Sequence, residues 1–190
     1  MIRKITAILF FFSLIIDLAS ARETKSLCLH EKALRSDAIF IGSVLSVQDT
    51  HEKTAGIYKY AVVRVDKVLK GPQKKGEIKF VTRGISSELN PLCCKLGEKY
   101  IFFARRGIDV FDDSNDRLRV IRTNTEEYFS ATNGHYSVYL INDGMVSGWP
   151  LEEKRQTSVE IRIVLSEIKE AIRYPRKCVI AAKLGSEKYT

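Results

Sequence analysis

The residues able to do chemistry in this 190-residue chain are few. There are four cysteines, Cys28, Cys93, Cys94 and Cys178, and three histidines, His30, His51 and His135. A zinc site gathers such ligands at short regular spacings, typically around a Cys-x-x-Cys pair. No such pair occurs, and the histidines stand at no ligand-like spacing from the cysteines. The glycine-flanked serine elbow of a hydrolase, the His-Glu-x-x-His of a zinc protease and a phosphate-binding glycine loop are all missing from the sequence. The histidines read as surface residues of loops or linkers, and the adjacent acids Asp112-Asp113 and Glu126-Glu127 as solvated loop charge. These readings predict a non-enzyme with no catalytic residue, no metal and no cofactor.

Lys67, Lys70, Lys74, Lys75 and Lys79 form the other chemical feature, a basic stretch with Tyr58, Tyr60 and Phe80 beside it in a chain of net charge +8. Clustered cations interleaved with aromatic rings suit an anionic polymer. The N-terminus decides which polymer is accessible. Arg3 and Lys4 precede an apolar run that ends at Ile16, Asp17 closes the run, and Ala19-Ser20-Ala21 offers a small-residue cleavage site, the three parts of a signal peptide. The run from Ile5 to Ile16 is shorter than the roughly 20 residues that span a bilayer. Residues 1–21 are therefore expected to be removed on export, leaving Arg22 first and no membrane span. The destination is secreted or periplasmic. Export argues against nucleic acid and leaves an anionic glycan or cell-surface component as the polymer.

An even number of cysteines in an exported chain favours two disulfides. A bond between Cys93 and Cys94 would close a strained eight-membered ring. The expected framework instead joins Cys28 to one member of the pair and Cys178 to the other.

The elements that must position these residues are mostly strands. Ala38 to Val47 is rich in large and β-branched apolar residues, with Gly42 marking a bend or bulge. Tyr58 to Leu69 alternates and changes phase near Asp66, which suggests a bulge, and Lys70-Gly71-Pro72 stops it. Glu77 to Thr82 puts Ile78 and Phe80 on one face, Lys99 to Ala104 is apolar enough for burial on both faces, and Arg117 to Arg122 supplies a fifth strand. Ile39, Ile41, Val63, Val65, Phe80, Ile101 and Phe102 are the expected inward core. Apolar runs on either side of Asn142-Asp143-Gly144 predict a hairpin. Thr157 and Glu160 have capping-box spacing ahead of a helix whose Ile161, Val164, Leu165, Ile168, Ala171 and Ile172 line one face until Pro175. Cys28 to Ser36 could form a helical turn or two. The expected fold is mainly β, a small five-stranded barrel or sandwich, with residues 126–190 forming a hairpin and an amphipathic helix packed on it.

In order along the chain, Cys28, the strand Ser36-Asp37-Ala38-Ile39-Phe40-Ile41-Gly42-Ser43-Val44, the turn Val68-Leu69-Lys70-Gly71, then Cys93-Cys94 and Leu96-Gly97-Glu98-Lys99-Tyr100-Ile101-Phe102 resemble the netrin-like domain of the tissue inhibitors of metalloproteinases. The resemblance runs from Cys28 to about Arg122. It implies an OB-type five-stranded barrel within residues 22–125. It also implies a binding protein whose first partner is another protein, a zinc metalloprotease among the candidates, with an anionic glycan as the alternative. In that family the N-terminal cysteine chelates the protease zinc through its free α-amine. The resemblance places Cys28 at that position, Leu29 at the residue entering the specificity pocket, and His30 beside it.

Overall fold

The computed structural model describes residues 26–50, 56–72, 75–85, 87–112, 117–121, 127–149 and 158–176. The signal-peptide segment, Lys74 and Cys178 lie outside them. Four strands form where alternation and β-branched residues place them: β1 (Ala38–Asp49), β2 (Ile57–Lys70), β3 (Glu77–Gly84) and β4 (Lys99–Arg106). A short helix, α1 (Leu29–Arg35), precedes them. Next come β5 (Ile108–Asp112), β6 (Arg117–Ile121), β7 (Tyr128–Ala131), β8 (Val138–Asn142), β9 (Met145–Ser147), β10 (Ser158–Glu160) and helix α2 (Ile161–Arg173).

β1 pairs antiparallel with β2, and β2 with β3. β3 runs parallel to β7, β7 pairs antiparallel with β4, and β4 returns antiparallel to β1, closing a ring of five strands. One edge of β4 is divided in series. Lys99 to Phe102 pair with β8, whereas Ala104 to Arg106 pair with β7. Beyond β8 the sheet continues through β9 to β10. The β8–β9 turn has positive φ at both Asp143 (47°) and Gly144 (77°), the backbone that a two-residue Asp-Gly hairpin requires.

The bends in β1 and β2 have specific causes. Ile41 faces Lys67 and Gly42 faces Val65, so Asp66 is the extra residue of a bulge. At Gly42 a Cβ would lie 2.5 Å from Val63 Cγ1 and 2.9 Å from the Arg64 carbonyl oxygen, so only glycine admits this approach of the two strands.

Two cores share β1 and β4. Inside the ring lie Phe40, Val44, Val63, Val65, Phe80, Phe102 and Phe129, among others. Phe102 is fully buried, with ring centroids 5.0 Å from Phe40 and 4.8 Å from Phe80. On the opposite face of β1 and β4, Ile39, Ile41, Ile101 and Phe103 pack with Tyr139, Trp149 and the helical residues Ala33, Val164, Ile168 and Ala171. The seven expected core residues are all buried. Three of them, Ile39, Ile41 and Ile101, face the helices rather than the ring interior, because both central strands are covered on both sides.

Two further expectations are corrected. Among the described residues, Arg117–Ile121 pairs only with Ile108–Asp112, in a separate ribbon. The fifth ring strand is Tyr128–Ala131, beyond residue 125, and it brings Phe129 and Ala131 into the inner core. Thr157 of the expected capping box lies outside the described residues, and Glu160 is not inside the first helical turn as that box requires. Ser158–Glu160 is taken up as a strand on β9, and the Ile161 amide donates to the Gly144 carbonyl at 2.9 Å, so Glu160 precedes the helix without a side-chain cap. The apolar stripe of α2 nevertheless packs onto the outer core as its spacing demands.

Candidate binding surface

Cys93 and Cys94 are bonded to each other across a cis peptide, with Cα atoms 3.3 Å apart. Cys28 is also disulfide-bonded, and none of the cysteines is free among the described residues. The expected link from Cys28 to the adjacent pair is therefore wrong. Its physical reason is location: Cys94 belongs to the core inside the ring, whereas Cys28 opens a helix that packs outside it.

That setting also fixes the three residues of the expected protease contact. The Leu27 amide, just before Cys28, donates to Asn133 Oδ1 at 2.7 Å. Leu29 is the first residue of α1 and packs against the outer core. His30 is half-buried on the same helix. Cys28, Leu29 and His30 thus form the start of a docked helix rather than an extended projecting segment.

The lysine stretch is dispersed by the fold. Lys70 points its ammonium at the end of α1, donating to the Ala33 and Ser36 carbonyls at 2.6 Å and to Leu34 at 3.3 Å. These are carbonyls a helix C-terminus leaves unpaired, and a cation there also meets the negative end of the helix dipole. Burial lowers the Lys70 pKa, with Asp37 opposing. Lys79 donates to Glu127 Oε2 at 2.8 Å and lies over the Tyr128 and Tyr60 rings. The Glu127 bond is the main cause that raises its pKa. Lys79 stands opposite Val62 on β2, about 16 Å along that strand from Lys67. Lys67 and Lys75 are exposed, and Lys74 is outside the described residues. Two of the five lysines are committed to internal contacts, so the stretch is not one continuous cationic face.

A different surface emerges at residues 91–98. Here the chain crosses from a buried Pro91 to the start of β4, and Leu92 is 84% exposed and Leu96 72%. The backbone that carries them is fixed at several points. The vicinal disulfide turns Cys94 into the inner core. The Gly97 amide donates to the Val44 carbonyl and the Val44 amide to the Glu98 carbonyl, each at 2.9 Å. Below the loop the Tyr100 hydroxyl accepts from the Lys95 amide at 3.2 Å and donates to the Glu98 carboxylate. Burial, then the Glu98 bond, pushes the Tyr100 pKa up to about 12. At the base of the adjoining strands, Asp66 accepts from Ser43 at 2.7 Å and from Arg64 at 3.1 Å, with Lys99 at 3.5 Å. Burial works to raise the Asp66 pKa, but the hydrogen bonds and the two cations outweigh it and leave it lowered.

Single exposed leucines are ordinary on protein surfaces. Here two lie on one short segment that is bonded to the barrel at Lys95, Gly97 and Glu98, and burying each would contribute roughly 1.5–3 kcal/mol. Sequence reasoning missed this loop because Pro91-Leu92-Cys93-Cys94-Lys95-Leu96-Gly97 follows neither helical nor strand periodicity. The available signal was two leucines between proline and glycine with no element to bury them. Among the described residues no group of three or more His, Cys, Asp or Glu is placed to hold a metal, and no helix is long and apolar enough to cross a membrane. No protein-family model matches the chain, and no curated protein matches it.

Proposed function

We propose that this protein is an exported, non-enzymatic binding module on an OB-type barrel, similar to the netrin-like domain of the metalloproteinase inhibitors, and that it docks a protein partner through residues 91–98. The closed ring of five strands around one core supports the barrel reading. The observation that carries the binding reading is the exposure of Leu92 and Leu96 on a loop held to the barrel from Cys94 to Glu98. A partner that covers them gains apolar burial without first having to order the loop.

Zinc chelation by Cys28 fits this arrangement poorly, because a free α-amine there requires removal of the residues before it, and Leu29 is held in the outer core. Any contact with a metalloprotease would then run through the 91–98 loop. Through the lysine stretch an anionic polymer is the less favoured partner, since Lys70 and Lys79 are already engaged.

The test places a photoreactive amino acid at position 92 or 96, and at Lys75 as an exposed control, in protein exported by its own host. A discrete adduct from positions 92 and 96, absent from 75 and abolished when the other leucine becomes aspartate, is the expected result. Absence of that adduct, or the same adduct from position 75, refutes docking through this loop.

A further inference from the structure

The parallel seam between β3 and β7 is short, with Lys79 facing Tyr128 and Phe80 facing Phe129. A groove of about 550 Å³ opens beside it, where β2, β3 and β7 meet the end of β4. That volume falls within the roughly 300–1,000 Å³ of small-ligand sites. Its apolar surface comes from Val62, Ile78 and Phe129.

Arg106, the last residue of β4, is held at the groove by three features. Register places it directly opposite Phe129. Its backbone amide donates to Asp37 Oδ2 at 2.9 Å. Its guanidinium lies over the Phe129 ring, 5.6 Å from the centroid. The side chain is exposed and has no ion-pair partner among the described residues. The remaining lining is polar and differently committed. Lys79 is neutralised by Glu127, the Tyr60 hydroxyl donates to Gln48 Oε1 at 2.6 Å, and Glu77 is exposed.

We infer that this groove binds an acidic sugar, a uronate unit of a glycan, with Arg106 gripping its carboxylate. A guanidinium stacked on an aromatic ring keeps its planar fork free for a bidentate carboxylate. Gln48 Nε2 donates one proton to Ser46 Oγ and keeps a second for a sugar hydroxyl, the Tyr60 oxygen can accept from another, and the Glu77 and Glu127 carboxylates accept from hydroxyls. Those two carboxylates also set the selectivity. They repel a ligand with a charge on every unit face, so a nucleic acid strand or a heavily sulfated chain is disfavoured, whereas one carboxylate among hydroxyls is tolerated. The site is separate from residues 91–98, and its failure would leave the protein-docking proposal standing.

The probe is methyl galacturonoside, a single uronate unit with one carboxylate among hydroxyls, titrated into isotope-labelled protein and followed by amide chemical shifts and calorimetry. Shifts at Gln48, Tyr60, Lys79 and Arg106 are expected. Methyl esterification of the sugar, or Arg106→Gln with an unchanged melting temperature, should each weaken binding about tenfold or more, the scale of a lost charge-assisted hydrogen bond. Arg106→Lys should recover only part of the loss, and a thymidine oligonucleotide should not compete. The inference is overturned by absence of binding at millimolar sugar, by equal affinity of the ester or of Arg106→Gln, or by effective competition from the oligonucleotide.

Discussion

Lys70→Met separates the two roles open to the basic stretch. The substitution keeps most of the aliphatic stem and removes an ammonium that donates to three carbonyls at the end of α1, two of them at 2.6 Å. Hydrogen bonds from a charged group are worth about 1.5–3 kcal/mol, and the favourable end of a helix dipole adds about 0.3–1 kcal/mol. Lys70 is only half-buried, so water can re-solvate part of what is lost. The expected cost is therefore about 1.5–2 kcal/mol, or a fall in melting temperature of roughly 3–8 °C. The Lys67 side chain is exposed and has no hydrogen bond or ion pair among the described residues, so Lys67→Met should stay within about 0.5 kcal/mol. Urea denaturation of both variants gives the comparison, and retention on an immobilised acidic polysaccharide gives the second readout. Equal stability of the two variants would refute the helix-terminus role. A matching loss of polysaccharide retention in both would restore the five lysines as one ligand face.

Phe102→Ala should cost about 3–5 kcal/mol in urea denaturation, because the ring centre loses a fully buried phenyl packed between Phe40 and Phe80. Tyr100 keeps its proton up to about pH 12, whereas the phenol of an unfolded chain ionises near 10, so its contribution to stability is fully present below pH 10 and is lost as pH rises toward 12. The wild-type minus Tyr100→Phe difference in unfolding free energy should fall through that window, and a flat difference would contradict it. Against a panel of zinc proteases, protein beginning at Arg22 and protein beginning at an acetylated Cys28 should both lack inhibition by chelation, since an amide lone pair is delocalised into its carbonyl. If a free Cys28 terminus inhibits and the other two do not, chelation of the kind proposed from the resemblance operates after trimming. Equal inhibition by all three would direct attention to the 91–98 loop.

How far the sequence reveals the fold depends on where its periodicity survives. The strands β1 to β4, the Asp143-Gly144 hairpin and the α2 stripe are legible because each has one dominant pattern or turn signal. Gly42 and the phase change at Asp66 even locate the bulge. The facing of β1 and β4 is not legible. Ile39 and Phe40, or Ile101 and Phe102, are neighbours buried in opposite cores, so the alternation that would orient them is absent. β7 is four residues long and follows two acids, too little for a strand signal. The lysines mislead for another reason: proximity in sequence does not reveal that Lys70 turns to a helix end while Lys79 turns to Glu127. Arg106 and the two leucines are informative only once their neighbours in space are known.

The divided edge of β4 has a consequence for how the molecule comes apart. Phe102 belongs to the ring interior and Phe103 to the layer beneath the helices, while the same strand's backbone is hydrogen-bonded to β1, β7 and β8. Peeling away the helical layer uncovers the back of a strand the ring needs, and opening the ring removes the platform on which the helices rest. Neither half can then act as an autonomous foldon, and the amides of Ile101 to Ala104 should exchange with deuterium only through whole-molecule opening.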